Sequence, residues 1–190
     1  PALATRVLFD LHLDNAIFCD HAERLKTEAL EQLSPDAAYP TRLSIWMRDR
    51  TPIRGRDEIR AALMLSNDDF EQYHGLAKLT SELGEWEHKT VAERKRLASH
   101  RLWEQGMLKW VAEDRHPGQL EGIRAEVVKL ASDGIGLAPP PLVTGDDLIA
   151  LGLKPGPNFK TILDQTYDAQ LEGRVTTRDE ALDFARTVGA

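Results

Sequence analysis

At four expected helix starts in this chain a Ser or Thr stands three residues ahead of an Asp or Glu, just before an apolar run of helical spacing: Ser66 with Asp69, Thr90 with Glu93, Thr144 with Asp147, and Thr177 with Glu180. In such a capping box the hydroxyl accepts the N–H of the third helical residue and the carboxylate accepts the N–H of the cap, so the pattern predicts a helix start wherever it occurs. Other stops and starts agree. Ser34-Pro35-Asp36, His116-Pro117-Gly118 and Gly152 end helical runs, whereas Pro40 and the turn Lys154-Pro155-Gly156-Pro157 open them. Strict apolar/polar alternation is not sustained anywhere, so the expected fold is all-α, a helical bundle with a small C-terminal helical unit. The expected helices include one continuous amphipathic stretch over 14–33, with Ile17, Leu25, Ala29 and Leu33 inward, and one after Pro40 that turns Leu43, Trp46 and Met47 to one face.

The stretch GIGLAPPPLV, residues 134–143, is the Pro/Gly-rich segment of the chain. It predicts a boundary between a helical body over 1–133 and a helical tail over 144–190. With 42% hydrophobic and 29% charged residues, the composition is that of a folding globular chain. No apolar run reaches the roughly 20 residues that a membrane-spanning helix needs, and no secretory signal is legible, so the expected location is the cytoplasm and no membrane partner is expected. Pro1 in place of Met points to a piece of a longer polypeptide. Cys19, the single cysteine, has no legible activating base beside it and is expected in the core.

A net charge of −7 argues against general affinity for polyanions. The charge is unevenly spread, however. Residues 89–101, KTVAERKRLASHR, hold five Lys or Arg against one Glu, which makes this stretch +4 and leaves −11 for the rest. Any RNA contact is therefore expected to be local.

The passage from Pro139 to Val188 reads PPPLVTGDDLIALGLKPGPNFKTILDQTYDAQLEGRVTTRDEALDFARTV. It resembles the C-terminal segment of bacterial tRNA nucleotidyltransferases and related poly(A) polymerases, in which a [ST]GDDL helix, a GLKPGP turn, a long helix ending DAQL-[DE]-G and a TR-[DE]-EAL helix follow in this order. Upstream, LMLSNDDFEQYHGLA resembles the body region of the same family. The resemblance implies an RNA-binding body and tail that position an RNA 3′ end, tRNA above all, for nucleotide addition by an N-terminal catalytic head. That head uses a Gly-Ser loop and paired aspartates to hold two magnesium ions near ATP or CTP. This sequence contains no such loop and pair, so the chain is expected to transfer no nucleotide alone, to hold no cofactor itself, and to partner the missing head. In many relatives a metal-binding His-Asp region precedes the body. Here Asn15 and Arg48-Asp49 stand at the corresponding places, so neither a metal site nor phosphohydrolase activity is expected. The choice among CCA, A or poly(A) addition resides in the head and neck.

Two surfaces are candidates for RNA-backbone contact. The turn Gly152–Phe159 joins a helix end to a helix start, where free N–H groups and the positive dipole end favour an anion, with Lys154, Asn158 and Lys160 adding donors. A purely structural reading stands beside it, since Pro155 and Pro157 also fix the angle between two helices. The second candidate is the basic helix, with Lys89, Arg94, Lys95 and Arg101, where Arg94 and Arg101 share a side at helical pitch. A solvated charged face is the competing reading. Of the four tryptophans, Trp46, Trp103 and Trp110 fit apolar helix faces, and Trp86 is the one that could stack on a base, with a core position as its alternative. The histidines show no metal-ligand spacing; His12 and His21 fall out of register on a helix. The functional alternative to the RNA-binding region is a stand-alone helical module that binds a protein partner in an apolar groove; a degenerate His-Asp hydrolase ranks third.

Overall fold

The computed structural model of the chain describes residues 2–18, 27–48, 56–113 and 117–189. These form α1 (Ala2–Asp10), α2 (Leu13–Phe18), α3 (Glu28–Glu31), α4 (Tyr39–Trp46), α5 (Arg56–Ala62), α6 (Asn67–Gly84), a 3-10 turn at Trp86–His88, α7 (Val91–Ala98), α8 (Trp103–Ala112), α9 (Pro117–Ser132), α10 (Gly145–Ala150), α11 (Asn158–Leu171) and α12 (Arg178–Gly189). The fold is all-α, with no strand among the described residues. None of the described helices is long and apolar enough to cross a membrane.

Two of the predicted boxes form with both reciprocal bonds, and the other two bond at the helix start in part. The Glu93 and Glu180 backbone N–H groups donate to the Thr90 and Thr177 hydroxyls, and the carboxylates accept the Thr90 and Thr177 N–H groups in return. Asp69 N–H donates to the Ser66 hydroxyl, and both the N–H and the hydroxyl of Thr144 donate to Asp147 Oδ2 at 2.8 Å. The continuous helix expected over 14–33 does not form, because Thr27 is non-helical in the hydrogen-bonded sense and precedes the four-residue α3. Its hydroxyl donates to Glu31 at 2.9 Å and accepts from Arg6 at 3.3 Å. Thr27 is thus the N-cap of a new helix start, its carbonyl accepting the Glu31 N–H at 2.9 Å.

The chain gathers into two compact units, one formed by residues 1–84 and 101–121 and the other by 85–100 and 122–190. In the first, α6 turns Leu76, Leu79 and Leu83 inward at three- and four-residue intervals. Leu43 and Met47 of α4 pack with Leu65 and Phe70, as their shared face predicts, with Trp46 half-buried beside them. Two glycines let α8 and its N-cap approach α6 closely: a Cβ on Gly106 would lie 2.2 Å from Leu79 Cδ2, and one on Gly75 would lie 2.7 Å from Leu102 Cδ1. Gln105 of α8 ties down the start of α4, accepting the Ala38 N–H at 2.8 Å and the Thr41 hydroxyl at 2.6 Å. Lys109 and Glu113 form a buried pair at 2.5 Å one helical turn apart.

The second unit has a core of its own in which Val143, Leu148, Ile162, Ala169, Val175, Ala181 and Ala185 are buried together. Gly152 closes α10 with φ +83°, its N–H donating to Ile149 O while Leu153 N–H donates to Leu148 O. Gly173 ends α11 in the same way at φ +73°, with Gly173 N–H on Gln170 O and Arg174 N–H on Ala169 O. This double bond pattern needs a left-handed residue at the position after the C-cap, which glycine occupies without a Cβ penalty. The proline run is bonded to α11: the Tyr167 hydroxyl donates to Pro139 O, Gln170 Nε2 donates to Pro140 O, and Leu142 N–H donates to Gln170 Oε1.

Candidate RNA-binding surfaces

The basic stretch does not form one helix through to Arg101. Helix α7 ends at Ala98, the Ser99 hydroxyl donates back to Arg96 O at 3.1 Å, and α8 starts only at Trp103. Leu102, buried against Gly75, anchors the intervening turn in the first unit, whereas Lys89, Arg94 and Lys95 belong to the second. The shared side expected for Arg94 and Arg101 therefore has no helix to carry it. Arg101 is exposed and stands 3.5 Å from Asp68.

Arg94 is engaged within its own unit. Its guanidinium donates to Trp86 O and Glu87 O, both at 3.0 Å, and forms an ion pair with Glu126 at 2.5 Å. Trp86, only 2% exposed, donates its indole N–H to the other Glu126 oxygen at 2.8 Å. The core position holds for this tryptophan, and base stacking on its face is ruled out by its burial. Burial pushes the Glu126 carboxyl up, but the bonds from Trp86 and Arg94 outweigh it and the net shift is downward. Arg96 is also paired, at 2.6 Å from Asp168, and its guanidinium lies 4.9 Å from the Tyr167 ring centroid. These acids come from α9 and α11, separated in sequence from their arginines by 32 and 72 residues, and no spacing rule in the sequence connects them. Lys95 differs: it is only 4% exposed, and no described carboxylate or carbonyl bonds its ammonium. Lys89 is half-buried at the C-cap of the 3-10 turn.

The second surface has the geometry its residues suggest. Gly152 carries the chain out of α10, and α11 begins at Asn158 after Pro157, which supplies no side-chain cap. No acid occupies the first turn of α11, so its amide end keeps its positive character. Lys154, Asn158 and Lys160 are all exposed around it. The structure thus brings together the Lys154–Lys160 group; of the other group, Lys89, Arg94 and Lys95 belong to one unit and Arg101 to the other.

Of the two places where the family resemblance would call for histidines, Asn15 donates its N–H to the buried Asp14 at 3.0 Å, and Arg48 stands 3.9 Å from Glu113. Asp49, Cys19, His21 and His116 lie outside the described residues. Among the described residues no three His, Cys, Asp or Glu side chains converge as a metal would require.

Comparison with known proteins finds similarity over part of this chain. It is 44% identical over 43 residues to an A-adding tRNA nucleotidyltransferase of Geobacter sulfurreducens, a match covering 23% of this chain and 5% of that protein. A second A-adding tRNA nucleotidyltransferase, from Halalkalibacterium halodurans, is 48% identical over 46 residues, or 24% of this chain and 11% of the relative. Part of this chain is related to tRNA nucleotidyltransferases. The matched portions are a small fraction of either relative's length. No family model matches the sequence, and no solved structure is similar to it.

Proposed function

We propose that this chain is the RNA-binding helical region of a tRNA nucleotidyltransferase or poly(A) polymerase, gripping the RNA backbone so that a catalytic head of the same polypeptide meets the 3′ end. The kinship of nearly a quarter of the chain with two A-adding tRNA nucleotidyltransferases carries this reading. The physical support is the start of α11, with no side-chain cap and flanked by Lys154 and Lys160, which offers N–H donors and positive charge to a phosphate. Holding a substrate in place reduces the entropy cost of reaction, so such a grip supplies rate and specificity without chemistry of its own. The magnesium ions and the ATP or CTP would belong to the head, and the chain alone would transfer no nucleotide.

The test is retention of deacylated tRNA on filters by the 190-residue chain and by its Lys154→Gln/Lys160→Gln variant, with circular dichroism as a folding control. Wild type should bind in low salt, and the variant should bind at least several-fold more weakly. Absence of binding by a folded wild-type chain would move the protein-interaction reading ahead. That second reading is favoured by Leu3, Val7 and Leu11, exposed at four-residue intervals along and just after α1.

A further inference from the structure

Within the second unit, α7, the end of α9 and the end of α11 enclose a cleft of about 770 Å³, a size in the range of small-ligand sites. Its walls include Val91, Leu130, Leu171 and Val175, so a ligand body resting there meets mainly hydrocarbon. Lys95 lines the same cleft. It is 4% exposed, and it has neither an ion pair nor a side-chain hydrogen bond among the described residues. Its stem is packed away and no carboxylate or carbonyl of the described residues holds its ammonium, which leaves that ammonium open to a ligand in the cleft.

The other charges around the cleft indicate what Lys95 would receive. Glu126 and Glu172 line it, but Glu126 is already paired with Arg94 and Glu172 with Arg174 at 2.7 Å. Lys95, Lys129 and Asp133 remain, giving a local surplus of one positive charge. That surplus suits a group with a single negative charge. A backbone phosphodiester carries one charge per phosphate and presents beside it an aromatic base that apolar walls can cover.

We infer that this cleft is a binding site for one phosphodiester-linked nucleotide of a single strand, with Lys95 as its anion hook and the walls of α7, α9 and α11 against the base. The inference rests on the RNA-binding reading above and adds a second, buried contact to the exposed Lys154–Lys160 turn. No covalent step is involved.

The dinucleoside monophosphates ApA and CpC are suitable probes, titrated by calorimetry into the full chain and into Lys95→Met and Asp133→Asn, with hexanoate and inorganic phosphate as competing anions. Wild type should bind a dinucleotide; Lys95→Met should lose about tenfold or more in affinity, as removal of a charge-assisted bond does. Asp133→Asn, which raises the surplus charge at an exposed position, should tighten binding a few-fold. Without ligand, Lys95→Met should melt no lower than wild type, a result that a purely structural lysine would not give. Three outcomes would overturn the proposal: no dinucleotide binding by wild type, undiminished binding by Lys95→Met, or a lower ligand-free melting temperature for that variant. Hexanoate bound in preference to dinucleotide would overturn the phosphodiester assignment. Parallel tRNA titrations separate this idea from the one beneath it. If tRNA binds wild type and Lys95→Met alike, the cleft is not an RNA contact and the broader reading stands; if dinucleotides bind and tRNA does not, the cleft stands and the broader reading fails.

Discussion

Asp147 shows how one side chain couples the tail to pH. Its carboxylate accepts the Thr144 N–H first of all, then the Thr144 hydroxyl and the Arg178 guanidinium, and these hold it down from its ordinary 3.8 to about 2. The sign follows directly from linkage. A folded-state value below the unfolded one means that the carboxylate stabilises the fold fully above pH of about 4, and that this contribution is lost as pH falls toward about 2. Glu180 adds to the same trend, held down chiefly by the Thr176 N–H. Melting followed by circular dichroism between pH 2 and 7 should therefore show wild type losing its advantage over Asp147→Asn across that window, the two curves converging at the acid end. A constant gap down to pH 2 would mean that ionisation of Asp147 does not support the α10 cap.

At the scale of elements, what local chemistry dictates was legible in the sequence and what depends on distant partners was not. A capping box involves four consecutive residues, so Thr90 with Glu93 and Thr177 with Glu180 marked the starts of α7 and α12. Gly152 marked the end of α10 for a comparable reason, since its positive φ is a single-residue requirement. The break after Ala98 carried no Gly or Pro; Leu102, just beyond it, is buried beside Gly75 of α6, a neighbour 27 positions away that no local rule indicates. The glycines of α8 and α9 give a paired prediction with opposite signs. At Gly106 a methyl group would stand 2.2 Å from Leu79, which is buried and cannot swing away, so Gly106→Ala should destabilise by about 1–3 kcal/mol despite the better helix propensity of Ala. At Gly122 nothing lies within 4 Å, and there Gly122→Ala should stabilise by roughly 0.5–1 kcal/mol. Urea unfolding of the two variants checks both; equal effects of one sign would show that propensity rather than close packing governs these positions.

At the scale of the whole molecule, the distribution of charge decides which surface is available to a polyanion. The sequence placed its cationic stretch correctly at residues 89–101, yet it could not show that acids 32 and 72 residues away consume two of those charges. Arg94 serves the Trp86 and Glu126 cluster, and Arg96 bridges α7 to Asp168 of α11. The Lys154–Lys160 turn was legible because its exposure follows from Pro and Gly at the helix junction, and no acid occupies the start of α11. The two sets of cations should then fail in different ways. Arg94→Gln removes the guanidinium bonds to the Trp86 and Glu87 carbonyls and to the Glu126 carboxylate, so it should cost about 1–3 kcal/mol in unfolding free energy. It should leave the salt dependence of tRNA binding nearly unchanged, because a paired guanidinium releases no counterion from RNA. Lys154→Gln with Lys160→Gln should leave unfolding within about 0.5 kcal/mol, as exposed substitutions usually do, and should flatten the plot of log affinity against log salt by roughly one unit for each lost phosphate contact. Binding measured from about 50 to 200 mM salt, beside urea melts of the same samples, separates stability from contact. A flattened slope for Arg94→Gln with intact stability would reverse the assignment and return the RNA surface to α7.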